Sequence, residues 1–132
     1  APITPNWGPN HRNLSIRIPL SDSDNVRIEH RAAGADANPY LVMACVLAGI
    51  HYGLKNQITP PKMIAEGEVI DPEITLPVKW DKALDAFENA SVLNEYLSNE
   101  YSDLFLRSRR CELDRFASQI SNKDFEWYLR SI

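Results

Sequence analysis

Four arginines and one glutamate, Arg12, Arg17, Arg27, Arg31 and Glu29, carry the clearest chemical signal in this sequence. Residues Leu14 to Ile18 alternate apolar and polar, as do Val26 to Arg31, so each stretch reads as a strand whose successive side chains point to opposite faces. That parity puts Arg27, Glu29 and Arg31 on one side of the second strand and Val26, Ile28 and His30 on the other, with His30 facing inward. On the first strand Ser15 and Arg17 oppose Leu14, Ile16 and Ile18. With the apolar sides sharing a core, one polar surface collects Arg17, Arg27, Glu29 and Arg31, and Arg12 stands just before it.

Alternation of this kind is ordinarily a solvated face, but two details point to an anion. Every Lys or Arg among the first 54 residues is Arg, and the first Lys is Lys55. A solvated face accepts Lys equally well, whereas the planar guanidinium fork suits bidentate contact with phosphate or carboxylate oxygens. Neighbouring cations also repel, and an anion seated between them relieves that cost. Glu29 has two readings at this stage. It is a hard oxygen ligand for magnesium or manganese, ions that take one or two protein carboxylates plus substrate phosphates, or it is a structural ion pair with Arg27 or Arg31.

The elements that hold this face follow from punctuation and period. The polar stretch Ser21 to Asn25 joins the two strands into an antiparallel β-ribbon. Asn38 is placed to cap, and Pro39 to open, a helix running to about Leu54, apolar nearly all round and therefore expected to be buried on every side. Pro60, Pro61, Gly67, Pro72 and Pro77 interrupt residues 56–77, an aperiodic loop long enough to be functional or packed on a larger body. The rest is helical. Trp80, Leu84 and Phe87 share a face, and Ser91 caps a short helix. Tyr101, Leu104, Phe105, Phe116 and Ile120 form the stripe of a long helix whose opposite face carries Asp103, Arg107, Arg110 and Asp114 as i,i+4 pairs. Ser121 and Asp124 form a capping box before a terminal aromatic helix.

Composition narrows the class. A net charge of -4 argues against a general nucleic-acid surface, which needs clustered excess cations. The longest uncharged apolar run, Tyr40 to Ile50, is too short to cross a bilayer, so no membrane segment is expected. The cysteines, Cys45 and Cys111, do not make a disulfide framework, which favours the cytoplasm. His11, His30 and His51 lack zinc-site spacing, and no glycine-rich phosphate loop or nucleophile elbow is present.

The order His11-Arg12-Asn13-Leu14-Ser15-Ile16-Arg17-Ile18-Pro19, Val26-Arg27-Ile28-Glu29-His30-Arg31, Ala37-Asn38-Pro39-Tyr40 resembles the C-terminal catalytic segment of glutamine synthetases. That family's pattern is N-R-S/T-x-x-x-R-x-P, then R-x-E-x-R, then an A/N-N-P-Y helix start. The stretch Gly34 to Asn38 is most similar to the branch making γ-glutamyl polyamines such as γ-glutamylputrescine. The resemblance implies an α+β fold over residues 1–132, an antiparallel ribbon followed by a helix-rich C-terminal part. This would be a fragment of the catalytic domain, without the N-terminal β-grasp domain and the remaining catalytic strands.

The implied activity is that of an ATP-dependent, magnesium- or manganese-dependent ligase joining glutamate to ammonia or an aliphatic amine through a γ-glutamyl phosphate, in a ring-shaped homo-oligomer. By the same resemblance Arg12 stabilises the phosphoryl group in transfer, and Arg17 and Arg27 hold nucleotide phosphates. Glu29 would ligate the second metal, and Arg31 would hold the glutamate γ-carboxylate and its acyl phosphate. His11, Asn13 and the pair Ala32-Ala33 depart from the family pattern beside these residues without replacing them. The competing reading is a non-catalytic relative kept for assembly, for which these charged residues have no use. A guanidino kinase is disfavoured by the R-x-E-x-R and A-N-P-Y combination.

Overall fold

Strand β1 (Trp7–Pro9) pairs parallel with β2 (Ile16–Ile18), and β2 pairs antiparallel with β3 (Glu29–His30), in the order β1-β2-β3. The computed structural model describes residues 2–70 and 75–129. The two expected strands form and run antiparallel, joined by a 3₁₀ turn at Ser23–Asn25. Strand β1 adds a third, and the short link 10–15 suffices for its parallel pairing because β1 and β2 are only three residues long. Leu14, fully buried, is the centre of this small core, with Thr4 and Ser15 beside it. The Ser15 hydroxyl donates to the Thr4 carbonyl at 2.5 Å, which satisfies a polar group taken out of water.

The loop that begins at Asn56 packs along β1. The Trp7 indole donates to the Pro61 carbonyl (2.8 Å), the Ile64 N–H to the Trp7 carbonyl (3.0 Å) and the Leu76 N–H to the Ile3 carbonyl (2.7 Å). Gly8 permits this approach, since a Cβ there would lie 2.0 Å from the Ile64 carbonyl oxygen. Pro72, expected in this loop, lies outside the described residues.

Helix α1 (Pro39–Lys55) starts where the sequence places it. The Asn38 side-chain oxygen accepts from the Tyr40 N–H (3.0 Å) and the Leu41 N–H (3.3 Å), and Pro39 occupies the first turn. Its expected burial is not found. Tyr40 (82% exposed), Met43, Leu47, Ile50 and Leu54 (75%) leave an apolar stripe open, and only Ala48 is buried. Three short strands and a loop offer too little surface to cover a helix apolar all round. For the same reason Val26 and Ile28 are exposed, and His30 is exposed rather than inward.

The chain divides into two units, Ala1–Val78 and Lys79–Ile132. In the second, α2 (Trp80–Glu88), α3 (Ser91–Leu97) and α4 (Asn99–Ala117) pack around Leu84, Ser102 and Leu106, and α5 (Asn122–Tyr128) follows as an exposed helix. Phe87 and Phe105 meet at 5.2 Å between ring centroids. Ser91 is the first residue of α3 rather than its cap, Ala90 taking that place. Arg107 pairs with Asp103 at 3.0 Å as expected, but Arg110 reaches across to Glu88 (2.7 Å) and Asp85 (3.7 Å) of α2. The capping box forms, with the Ser121 N–H donating to the Asp124 carboxylate at 2.7 Å.

Candidate functional site

The antiparallel register sets Arg17 directly opposite Glu29. Residues opposed in this way share a face of the sheet, so their side chains meet. One Arg17 terminal nitrogen donates to Glu29 at 2.9 Å, and Arg27, two residues before Glu29 and so on the same face, donates to its other oxygen at 3.3 Å. Glu29 is thus clasped by Arg17 and Arg27, where sequence reasoning offered Arg27 or Arg31. The second Arg17 terminal nitrogen donates to the Asn10 side-chain oxygen at 2.8 Å, while its Nε is buried without a partner among the described residues.

Arg31 extends the ladder, its N–H donating to the Ser15 carbonyl at 2.8 Å. Its guanidinium donates to the Arg12 carbonyl oxygen and so ties down the turn that carries Arg12. Arg12 and Arg31 together line a cleft of about 520 Å³ with Thr4, Asn13 and Ile70. Arg12 and Asn13 also line an adjoining cleft of about 770 Å³, whose far wall is the loop at Glu66 to Ile70. The five residues singled out from sequence therefore fall into a cluster, Arg17–Glu29–Arg27, and a cleft pair, Arg12 with Arg31.

Several site residues were not foreseen. The Asn10 amide donates to both Glu66 carboxylate oxygens at 3.2 Å. His11 Nδ1 accepts from the Asn13 N–H (3.2 Å), which leaves Nε2 as the donor to the Glu68 carbonyl at 3.3 Å. Glu68 is itself held below the usual carboxylate range, first by the Lys62 ammonium hydrogen bond and then by the Ala65 N–H. The loop is thus anchored to the turn before β2 at two neighbouring points, Asn10–Glu66 and His11–Glu68. The only sequence sign of this was the length of the loop.

The residues present fit a divalent ion in a limited way. Glu29 offers one carboxylate, and no group of three His, Cys, Asp or Glu side chains able to hold a metal occurs among the described residues. One carboxylate supplemented by phosphate oxygens is within the range magnesium accepts. A guanidinium carries five N–H donors. Arg17 spends two on Asn10 and Glu29, and Arg27 spends one on Glu29 and one on the Asn25 carbonyl, so both retain donors for an anion.

A sequence model of the glutamine synthetase catalytic domain matches residues 1–128. The chain belongs to the glutamine synthetase family. It is 37% identical over 131 residues to the gamma-glutamylputrescine synthetase PuuA of Escherichia coli (strain K12), covering 98% of this chain and 28% of that protein. To type-1 glutamine synthetase 2 of Dictyostelium discoideum it is 30% identical over 137 residues, covering 100% of this chain and 26% of that one. A solved structure described as apo GmaS without ligand superposes with a TM-score of 0.81 at 27% identity, over 98% of this chain and 30% of the other. The α+β architecture is therefore that of a glutamine synthetase catalytic segment, and the chain spans under a third of the length of these relatives. The likeness read from Gly34 to Asn38 agrees with the putrescine synthetase among them.

Proposed function

We propose that this chain is the C-terminal catalytic part of an ATP-dependent ligase that makes γ-glutamyl amides, and that an aliphatic amine is preferred over ammonia. The observation that carries the reading is the Arg17–Glu29–Arg27 cluster, with Arg17 and Glu29 in cross-strand register, in a chain of this family that also brings Arg12 and Arg31 to one cleft. In the first step a glutamate γ-carboxylate oxygen attacks the γ-phosphorus of ATP, the bond to the bridging oxygen breaks and ADP leaves. In the second the amine nitrogen attacks the acyl carbon, phosphate departs and the nitrogen gives up a proton.

Both steps concentrate negative charge on phosphoryl oxygens, and fixed cations placed beforehand stabilise it without reorganising. Arg17 and Arg27 hold the nucleotide phosphates, Arg12 the phosphoryl group in transfer, and Arg31 the γ-carboxylate and the acyl phosphate formed from it. Glu29 would serve as an oxygen ligand for magnesium or manganese, which when bound neutralises phosphate charge. We place the enzyme in the cytoplasm as a homo-oligomeric ring. No helix among the described residues is long and apolar enough to cross a membrane.

Phosphate release by the full-length enzyme with glutamate, ATP and either putrescine or ammonium tests this. Release is expected to require glutamate, with putrescine giving the higher kcat/KM. Ammonium ahead by a wide margin would assign the enzyme to the ammonia-using branch, and release independent of glutamate would overturn the ligase reading.

A further inference from the structure

We propose that Asn10 is a positioning residue for Arg17, coupling the loop that carries Glu66 to the anion-binding face; this rests on the ligase reading above. Asn10 has a left-handed backbone (φ 49°), a conformation Asn adopts more readily than most residues. Its N–H donates to the Ile18 carbonyl at 2.9 Å, which fixes the residue where β1 leaves the sheet. The side chain then faces two partners of opposite sign, with its oxygen accepting from Arg17 at 2.8 Å and its amide donating to Glu66 at 3.2 Å. The amide orientation is fixed chemically, because a guanidinium cannot accept and a carboxylate cannot donate. Asn is suited to this joint because it is neutral, short and carries both an acceptor and donors.

A continuous chain of charge-assisted hydrogen bonds therefore runs from Glu66 through Asn10, Arg17 and Glu29 to Arg27. Among the described residues Arg17 is gripped at both terminal nitrogens and nowhere else, since its Nε has no partner there. Two such grips fix the plane of the guanidinium and hence the direction of its remaining N–H groups. Without Asn10 only Glu29 would hold it, and the plane would turn about that single bond. Preorganisation of charge is what phosphoryl stabilisation depends on. The loop enters through Glu66, so whatever moves the loop moves Arg17.

The test is a double-mutant cycle in the full-length enzyme with Asn10→Gly and Glu66→Ala, reading KM for ATP and for glutamate. Glycine accepts the left-handed backbone, so Asn10→Gly removes the bridge without backbone strain. The expected result is a rise of about tenfold in the ATP KM, one step on the affinity scale, with the glutamate KM unchanged. Glu66→Ala should raise the ATP KM on its own but add nothing in the Asn10→Gly background, because its effect passes through Asn10. An unchanged ATP KM in Asn10→Gly, equal loss for both substrates, or fully additive effects would each overturn the inference while leaving the ligase reading standing. A wild-type enzyme that forms no γ-glutamyl amide would remove that reading and the inference with it.

Discussion

Replacing Glu29 by Gln in the full-length enzyme keeps the shape and one carbonyl acceptor and removes one negative charge. Its oxygens lie 2.9 Å from Arg17 and 3.3 Å from Arg27, and the three side chains are 31%, 21% and 54% exposed respectively. Ion pairs this open to water are screened and contribute about 0–1 kcal/mol. If Glu29 is only such a pair, Glu29→Gln costs less than about 1 kcal/mol of stability and leaves turnover nearly intact. If its charge serves phosphoryl transfer, it acts where preorganised electrostatics are worth about 10²–10³ in kcat. The two readings thus separate in turnover and hardly at all in stability. We expect kcat to fall by about a hundredfold or more, with an unchanged denaturation midpoint and more magnesium or manganese needed for half-maximal rate. Steady-state kinetics across metal concentration, paired with urea unfolding, make the measurement. Wild-type kcat and metal response in Glu29→Gln would refute the reasoning and leave Glu29 as a structural ion pair.

Gly8→Ala would push a methyl group to 2.0 Å from the Ile64 carbonyl oxygen, a backbone atom that cannot swing aside as a flexible side chain would; overpacking of this kind costs about 1–3 kcal/mol. A lowered unfolding midpoint is therefore expected, and an unchanged one would mean that the loop does not pack there. In the helical unit the Glu88 carboxyl is held below its usual range, first by the Arg110 hydrogen bond. A depressed carboxyl stabilises the fold fully above its ordinary value of about 4.3 and loses that contribution as pH falls through the lowered one. Urea unfolding followed by circular dichroism should show a slightly lower midpoint as pH falls through that window, a dependence that Glu88→Gln flattens; identical pH profiles would contradict the link. The 132 residues alone should form no γ-glutamyl amide, since among the described residues Glu29 is the only carboxylate in the arginine cluster and two-metal phosphoryl chemistry needs more. They should also self-associate through the open α1 stripe. Amide formation by the isolated chain, and a monomeric mass by light scattering, are the respective refutations.

What could be read in advance depended on local rules. Strand parity gave the face shared by Arg17, Arg27 and Glu29, because side-chain direction along a strand depends on neighbouring residues alone. The Asn38-Pro39 start of α1 and the Ser121/Asp124 box were legible for the same reason, as caps are satisfied within one turn. Strand β1 was missed because Trp7–Pro9 is short, contains a proline and lacks alternation. The Asn10–Glu66 and His11–Glu68 contacts were missed because they join residues more than fifty positions apart through a loop without period. The expected burial of α1 failed differently. Its composition specifies a covered helix, but composition does not say which chain segment does the covering.

In the proposed reaction the arginine face serves transfer of a phosphoryl group to the glutamate γ-carboxylate. Glutamate labelled with ¹⁸O in that carboxylate, incubated with full-length enzyme, ATP and putrescine, tests it most directly. If a γ-glutamyl phosphate forms, one labelled oxygen becomes the bridging atom and leaves with phosphate when the amine attacks. One ¹⁸O is expected in the inorganic phosphate for each amide made, and unlabelled phosphate accompanying amide formation would rule out the acyl phosphate.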